Sequence, residues 1–250
     1  MIFNRHADEA RDYLGLPKIP GNLFEQITEQ KNYIDKYKIV IFKEDLDKLS
    51  GFIGYEKDFA FIGVNFKRPI GHQNLTLAHE LGHFFLHKGL LFSDKNYISK
   101  GGTSKEEKEA FDFASELLCP HEKFCEEIYV SQLTCAFHNR NFAEIGKWID
   151  CICHKYYLSF EFVLRKTLYY FHLVKDYKKY NEKIKESVGG LSALDKNFYV
   201  ADGSSYSKPC SYPYEHLRQT VLTAIADQKI GEATGKSILY SYNLLGDDEN

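Results

Sequence analysis

The chain has 250 residues, 44% of them hydrophobic and 27% charged, with 32 basic against 35 acidic side chains. That length can bury a sizeable core in one or two domains, and the net charge of −3 lacks the basic surplus of a broad nucleic-acid binder. The opening residues, MIFNRHADEARDYLG, are too charged for a secretory signal, and no apolar run approaches bilayer length. The reading is a cytoplasmic protein with no direct contact to nucleic acid and none to a membrane.

The first elements to stand out are strands. Residues 38–42 (KIVIF) are one, and 51–55 with 59–66 form a hairpin around Glu56-Lys57-Asp58. A strand edge beside an active-site helix can hold an extended substrate as an added strand. The 59–66 strand is the candidate for that edge, although the sequence equally allows it to be a fully paired interior strand.

Next comes Leu77-Ala78-His79-Glu80-Leu81-Gly82-His83, an HExxH pattern. Residues four apart stack on one helix face, so His79 and His83 can offer two imidazole nitrogens to one tetrahedral Zn²⁺. Glu80 lies beside that face. It is placed to take a proton from a metal-activated water without being a ligand, which makes it the candidate catalytic base. The competing reading is an amphipathic helix whose histidines are merely exposed or hydrogen-bonded. Leu75, Leu77, Ala78, Leu81, Gly82, Phe84, Phe85 and Leu86 argue against it, because they make the segment a buried helix whose polar groups need partners. His87, one further turn along, reads as a surface residue or a support behind the metal rather than a ligand. His72 and His121 take no assignment.

A catalytic zinc usually has three protein ligands. Position 89, where a metzincin would supply a third histidine, is Gly89. The helix expected over 104–118 offers carboxylates instead. Ala110, Phe113, Ala114, Leu117 and Leu118 repeat at helical spacing, and extending that face backwards reaches Glu107 and Glu106. Glu107 is favoured as third ligand, with Glu106 and Glu109 as rivals. Ser104 to Glu107 is also a capping box, and Thr103 to Glu106 offers the same cap one residue earlier.

Together, Leu75-Thr-Leu-Ala-His-Glu-Leu-Gly-His83 and Glu107-Lys-Glu-Ala-Phe-Asp-Phe-Ala-Ser-Glu-Leu-Leu-Cys-Pro120 resemble the ImmA/IrrE family of zinc metallopeptidases. The family's pattern is TLAHELGH followed downstream by ExEAxxFAxxLLMP. The resemblance implies His79, His83 and Glu107 as zinc ligands and Glu80 as the catalytic glutamate. It covers roughly residues 10 to 175 and is specific at these two motifs. Cys119 stands where methionine is common. Gln73-Asn74 stands where many relatives carry a basic residue, a departure that bears on substrate or partner contact. The implied fold is α+β: a gluzincin-like helix pair holding zinc against a small β-sheet, with a C-terminal helical extension. The implied activity is a zinc-dependent endopeptidase acting on a helix-turn-helix (XRE-like) repressor or antitoxin-type protein, in control of a mobile element, a stress response or a toxin–antitoxin pair. The alternative is a zinc-stabilised, toxin-like partner that sequesters such a regulator without cutting it.

Further along, 141–154 and 159–172 read as two helices joined by a short turn, the first opened by Asn141-x-x-Glu144. The second offers Arg165 and Lys166 against many aromatics, which favours packing over base reading. Six cysteines form no CxxC pair and no disulfide framework, and Cys151-Ile-Cys153-His154 diverges too much for a second metal site. The lysine run 175–185, interrupted by acids, reads as a solvated helix face. The domain reading is a metallopeptidase-like domain over 1–175, a linker or irregular region over 176–213 and a helical hairpin over 214–250. Within the linker, 187–213 is rich in Gly, Ser and Pro. The hairpin comprises 214–228 and 232–242, broken at Gly231, and is a candidate homodimer surface.

Overall fold

The structure, a computed structural model, describes residues 2–56, 58–87, 104–200, 218–219, 221–223, 225–226 and 231–241. Its architecture is α+β. Three helices, α1 (Ile2–Leu14), α2 (Leu23–Thr28) and α3 (Tyr33–Tyr37), precede strands β1 (Ile39–Glu44), β2 (Gly51–Glu56) and β3 (Phe59–Asn65). Then follow α4 (Ile70–Leu86), α5 (Lys105–Leu118), α6 (His121–Val130), α7 (Leu133–His138), α8 (Phe142–Tyr156), α9 (Phe160–Tyr170), α10 (Tyr177–Ser187) and α11 (Leu191–Tyr199).

The strand order is β1-β3-β2, with β1 parallel and β2 antiparallel to β3. Period-two alternation puts Ile39, Ile41, Ile53, Ala60, Ile62 and Val64 on one buried face. Helix α4 lies on that face: a Cβ added at Gly51 would meet the Thr76 methyl at 2.5 Å and Glu80 Oε1 at 3.7 Å. The expected hairpin turns between Glu56 and Phe59. The 59–66 strand, however, is interior and paired on both sides, so it is not the free edge. On the outer side of β1 the Tyr33 hydroxyl takes the Ile41 amide at 3.3 Å. β1 and β2 are both edge strands, and β2 is the one that lies against Glu80 through Gly51.

Helix α5 packs on α4 and is held from behind by α1. Ala7, Ala10 and Leu14 are buried along one stripe of α1. The buried Arg11 donates to the carbonyls of Glu116 and, at 2.9 Å, Leu117. These are orphan acceptors in the last turn of α5, where a cation also complements the helix dipole.

Two expectations are corrected by the packing. Gln73 and Asn74 are not surface contacts for a partner but buried cross-links. Gln73 Nε2 donates to the carbonyls of Phe66 at 3.0 Å and Arg68 at 2.5 Å. Asn74 Oδ1 accepts from the Leu23 amide at 2.8 Å, while its Nδ2 donates to the carbonyls of Gly21 at 2.8 Å and Tyr157 at 3.1 Å. The described part of 176–213 is helical rather than irregular. Within α10, Tyr180 and Ile184 are buried, and a Cβ on Gly146 of α8 would meet Ile184 at 2.9 Å. Gly-rich composition there marks the turn at Gly189 and Gly190, both at positive φ, rather than a loose linker.

Helices α8 and α9 occur as expected, capped by Asn141 and Ser159, whose side chains accept from the amides of Glu144 and Phe162. Lys166 points inward to Ser115 Oγ and the Cys119 carbonyl, and Arg165 pairs with Glu161, so α9 is committed to packing. In the tail, the described residues between 218 and 226 and the segment Glu232–Ser241 are helical. They meet at Gly235, where an added Cβ would touch Ile225 and Val221. No helix among the described residues is long and apolar enough to cross a membrane.

Candidate metal centre

The donor set is built from the α4–α5 crossing. Gly82 sits at the contact: an added Cβ would meet the Cα and carbonyl oxygen of Ala110 at 2.9 Å. This close approach brings the first turn of α5 over the stacked imidazoles of α4. His79 and His83 lie one turn apart, with ring centroids 4.8 Å apart and Nε2 atoms separated by 3.2 Å. Glu107 places Oε2 3.0 Å from His79 Nε2 and Oε1 3.5 Å from His83 Nε2. Each residue offers one ligand atom, and these atoms all fall within 4.8 Å of one another.

These separations test whether a metal fits. Ligands bound tetrahedrally at the usual zinc distances stand about 3.3 Å apart along each edge. The two Nε2 atoms stand 3.2 Å apart, and each has a Glu107 oxygen within 3.5 Å, Oε2 beside His79 and Oε1 beside His83, separations close to that value. A neutral imidazole has one lone-pair nitrogen, and two such nitrogens aimed at each other beside a carboxylate are best satisfied by a shared cation. The donor set therefore fits a divalent metal with an open fourth position.

The three glutamates at the start of α5 have separate tasks. Ser104 is the N-cap, and its Oγ accepts from the Glu107 amide at 3.2 Å. Glu106 is lowered from its ordinary pKa by its own backbone amide and by Ser104, so it serves the helix start. Glu107 is thereby free of the capping box. The adjoining imidazoles of His79 and His83 hold its carboxyl far below the usual carboxylate range, against the opposing effect of burial. Glu109 faces the next histidine: its Oε2 is 3.2 Å from His87 Nε2.

Glu80 projects to the sheet side of α4 and is only 8% exposed. Burial pushes its carboxyl up to about 7; the His83 charge opposes the rise and Glu107 adds to it. A buried acid with no ligand role, beside the donor set, is poised to exchange a proton near neutral pH.

All four residues singled out from the sequence thus meet in one place. His87 and Glu109 were underread there. The signal was the stripe His79, His83, His87 continuing at four-residue spacing. Elsewhere, Cys151 is exposed and Cys153 buried, while His154 turns to Asp150 and Asp195. Cys210 lies outside the described residues.

Residues 34–144 match the Peptidase M78 family, the IrrE N-terminal-like domain. Over 84 residues the chain is 38% identical to the metallopeptidase ImmA of Bacillus subtilis (strain 168). The alignment covers 34% of this chain and 50% of that protein, so the chain spans about half the length of the curated relative it matches. No solved structure matches significantly.

Proposed function

Residues 34–144 belong to the ImmA/IrrE family, and on that premise we propose that the chain is a zinc-dependent endopeptidase hydrolysing a peptide bond in one helix-turn-helix (XRE-like) regulator. Such cleavage would control a mobile element, a stress response or a toxin–antitoxin pair. The observation that carries the enzymatic reading is the buried Glu80 beside three convergent donors. A purely structural metal site needs the donors but not that acid.

His79, His83 and Glu107 would hold the ion, which supplies, when bound, a Lewis acid that polarises a carbonyl and makes water a nucleophile at neutral pH. Glu80 takes the proton from the attacking water as its oxygen bonds to the carbonyl carbon. It then delivers that proton to the departing amine as the C–N bond breaks. Its burial suits both halves of this transfer, because a carboxyl near pH 7 is neither too weak a base nor too weak an acid. β2 is an edge strand and runs beside Glu80, with Gly51 against the carboxylate. An extended segment of the regulator paired along β2 would present its backbone to the site, and side chains on alternate positions would set the choice of sequence.

Incubating the protein with an XRE-like helix-turn-helix regulator from its own genome, followed by mass spectrometry, tests the reading. Wild type, E80Q and a chelated sample are compared. Cleavage by wild type alone, with E80Q retaining its metal and losing about 10²–10⁴-fold in rate, supports the proposal. A stable complex uncut in every sample overturns hydrolysis in favour of sequestration.

A further inference from the structure

Behind the donor set, a chain of hydrogen bonds runs from His83 to α5. His83 Nδ1 lies 3.1 Å from His87 Nδ1, and His87 Nε2 lies 3.2 Å from Glu109 Oε2. The other Glu109 oxygen is 3.4 Å from Lys105 Nζ. His83 and His87 are buried, at 4% and 6% exposure. We infer that His87 and Glu109 are positioning residues for the metal ligand His83, fixing both its ring orientation and the nitrogen that carries its proton. This deepens the metal-site reading above and rests on it.

The assignment follows from the donor inventory. An ionised carboxylate only accepts, so Glu109 requires a hydrogen on His87 Nε2. A neutral imidazole with its hydrogen on Nε2 presents a lone pair at Nδ1. His83 must then carry its own hydrogen on Nδ1 and donate it to His87. The lone pair of His83 is left on Nε2, the nitrogen that faces His79 and Glu107. The wrong tautomer would aim a hydrogen at the metal position and leave two lone pairs opposed at 3.1 Å. Ligating histidines commonly hand their second nitrogen to a carboxylate or carbonyl, which raises ligand basicity. Here a second imidazole, His87, is interposed between His83 and Glu109. No comparable chain stands behind His79 among the described residues. The two ligands are therefore unequal, with His83 preorganised and His79, whose side chain is 21% exposed, set by the metal.

The test measures metal, not turnover. Zn²⁺ affinity is read by competition with a chromophoric chelator, and site geometry by the d–d spectrum of the Co²⁺-loaded protein. H87F keeps a ring of similar size and removes the acceptor; it should weaken Zn²⁺ binding about 10–100-fold and shift the Co²⁺ bands. H87N, whose Oδ1 can stand near the lost Nδ1, should recover most of both. E109A should weaken binding, and E109Q, which still accepts from His87, should do so less. Tight binding in wild type with undiminished affinity and unchanged bands in H87F overturns the inference. Should H87F not fold, E109A and E109Q decide alone: equality of both with wild type overturns it. Failure of the wild type to bind metal overturns the metal-site reading itself.

Discussion

Among the described residues, one cluster of histidine and carboxylate lies across α4 and α5 and another across α8 and α11. In the second, the side chains bond one another and the nearby backbone. His154 Nδ1 reaches the Asp150 carbonyl at 2.9 Å, His154 Nε2 reaches Asp195 at 3.1 Å, and the Tyr199 hydroxyl donates to Asp150 at 2.6 Å. The Phe198 ring covers the imidazole at a centroid distance of 4.3 Å. Donors are matched to acceptors in pairs, and the result is a clasp between helices. In the first cluster the donor atoms of His79, His83 and Glu107 converge on one point, with two imidazole nitrogens facing each other at 3.2 Å beside a shared carboxylate. Composition alone does not separate the two clusters. The difference is convergence against pairwise satisfaction, and with it the presence of Glu80 as a buried acid to spare.

Removing a convergent donor should have the largest effect. E107A is expected to lose metal affinity by more than the roughly 10–100-fold that an outer partner costs, seen as metal lost on dialysis, whereas D195A in the other cluster should leave metal content unchanged. Retention of metal by E107A would sink the ligand assignment. Stability effects come next. R11M leaves two carbonyls at the end of α5 without their donor and should cost about 1–3 kcal/mol for each, visible as a lower denaturation midpoint. G82A drives a methyl into the Ala110 backbone and should cost about 1–3 kcal/mol of overpacking, partly offset by about 1 kcal/mol of helix propensity. It should also weaken Zn²⁺ binding by separating the helices. G235A meets the tip of Ile225, which can rotate aside, so a melting temperature as low as that of G82A would contradict this distinction.

The smallest effect concerns pH. Burial disfavours the charge on His154, but hydrogen bonds to the Asp150 carbonyl and the Asp195 carboxylate outweigh it and raise its pKa above the ordinary value. A raised folded-state pKa contributes stability that is complete below the unfolded value of about 6.5 and is lost as pH rises through the folded one. D195N should flatten that part of the stability profile above pH 6. An unchanged profile would mean that the clasp holds α11 without charge.

The catalytic helix was legible because its information is local. Four-residue spacing puts His79 and His83 on one face whatever surrounds them, and the apolar residues around them state that the helix is buried. The β2–β3 hairpin, the capped start of α5 and the α8–α9 pair follow equally from short-range pattern and turn chemistry. Helix α1 was read only for its charge, because two of its three buried stripe residues, Ala7 and Ala10, are too small to give a strong periodic signal.

Other features depended on partners distant in the chain. Helical spacing left Glu107 among rivals and the family resemblance favoured it; the fold brings it to His79, 28 residues away, gives Glu106 to the cap and gives Glu109 to His87. Gln73 and Asn74 were read for substrate or partner contact, yet both are buried, and Asn74 joins segments up to 83 residues apart. Strand pairing made β3 interior and β1 and β2 the edges. The sequence by itself determined which residues can bind a metal and move a proton, since side-chain chemistry and helical period are properties of a few neighbouring residues. Only the tertiary structure decided how that carboxylate reaches the two imidazoles and which strand is interior, because those depend on where α5 crosses α4 and on which strand pairs with two others.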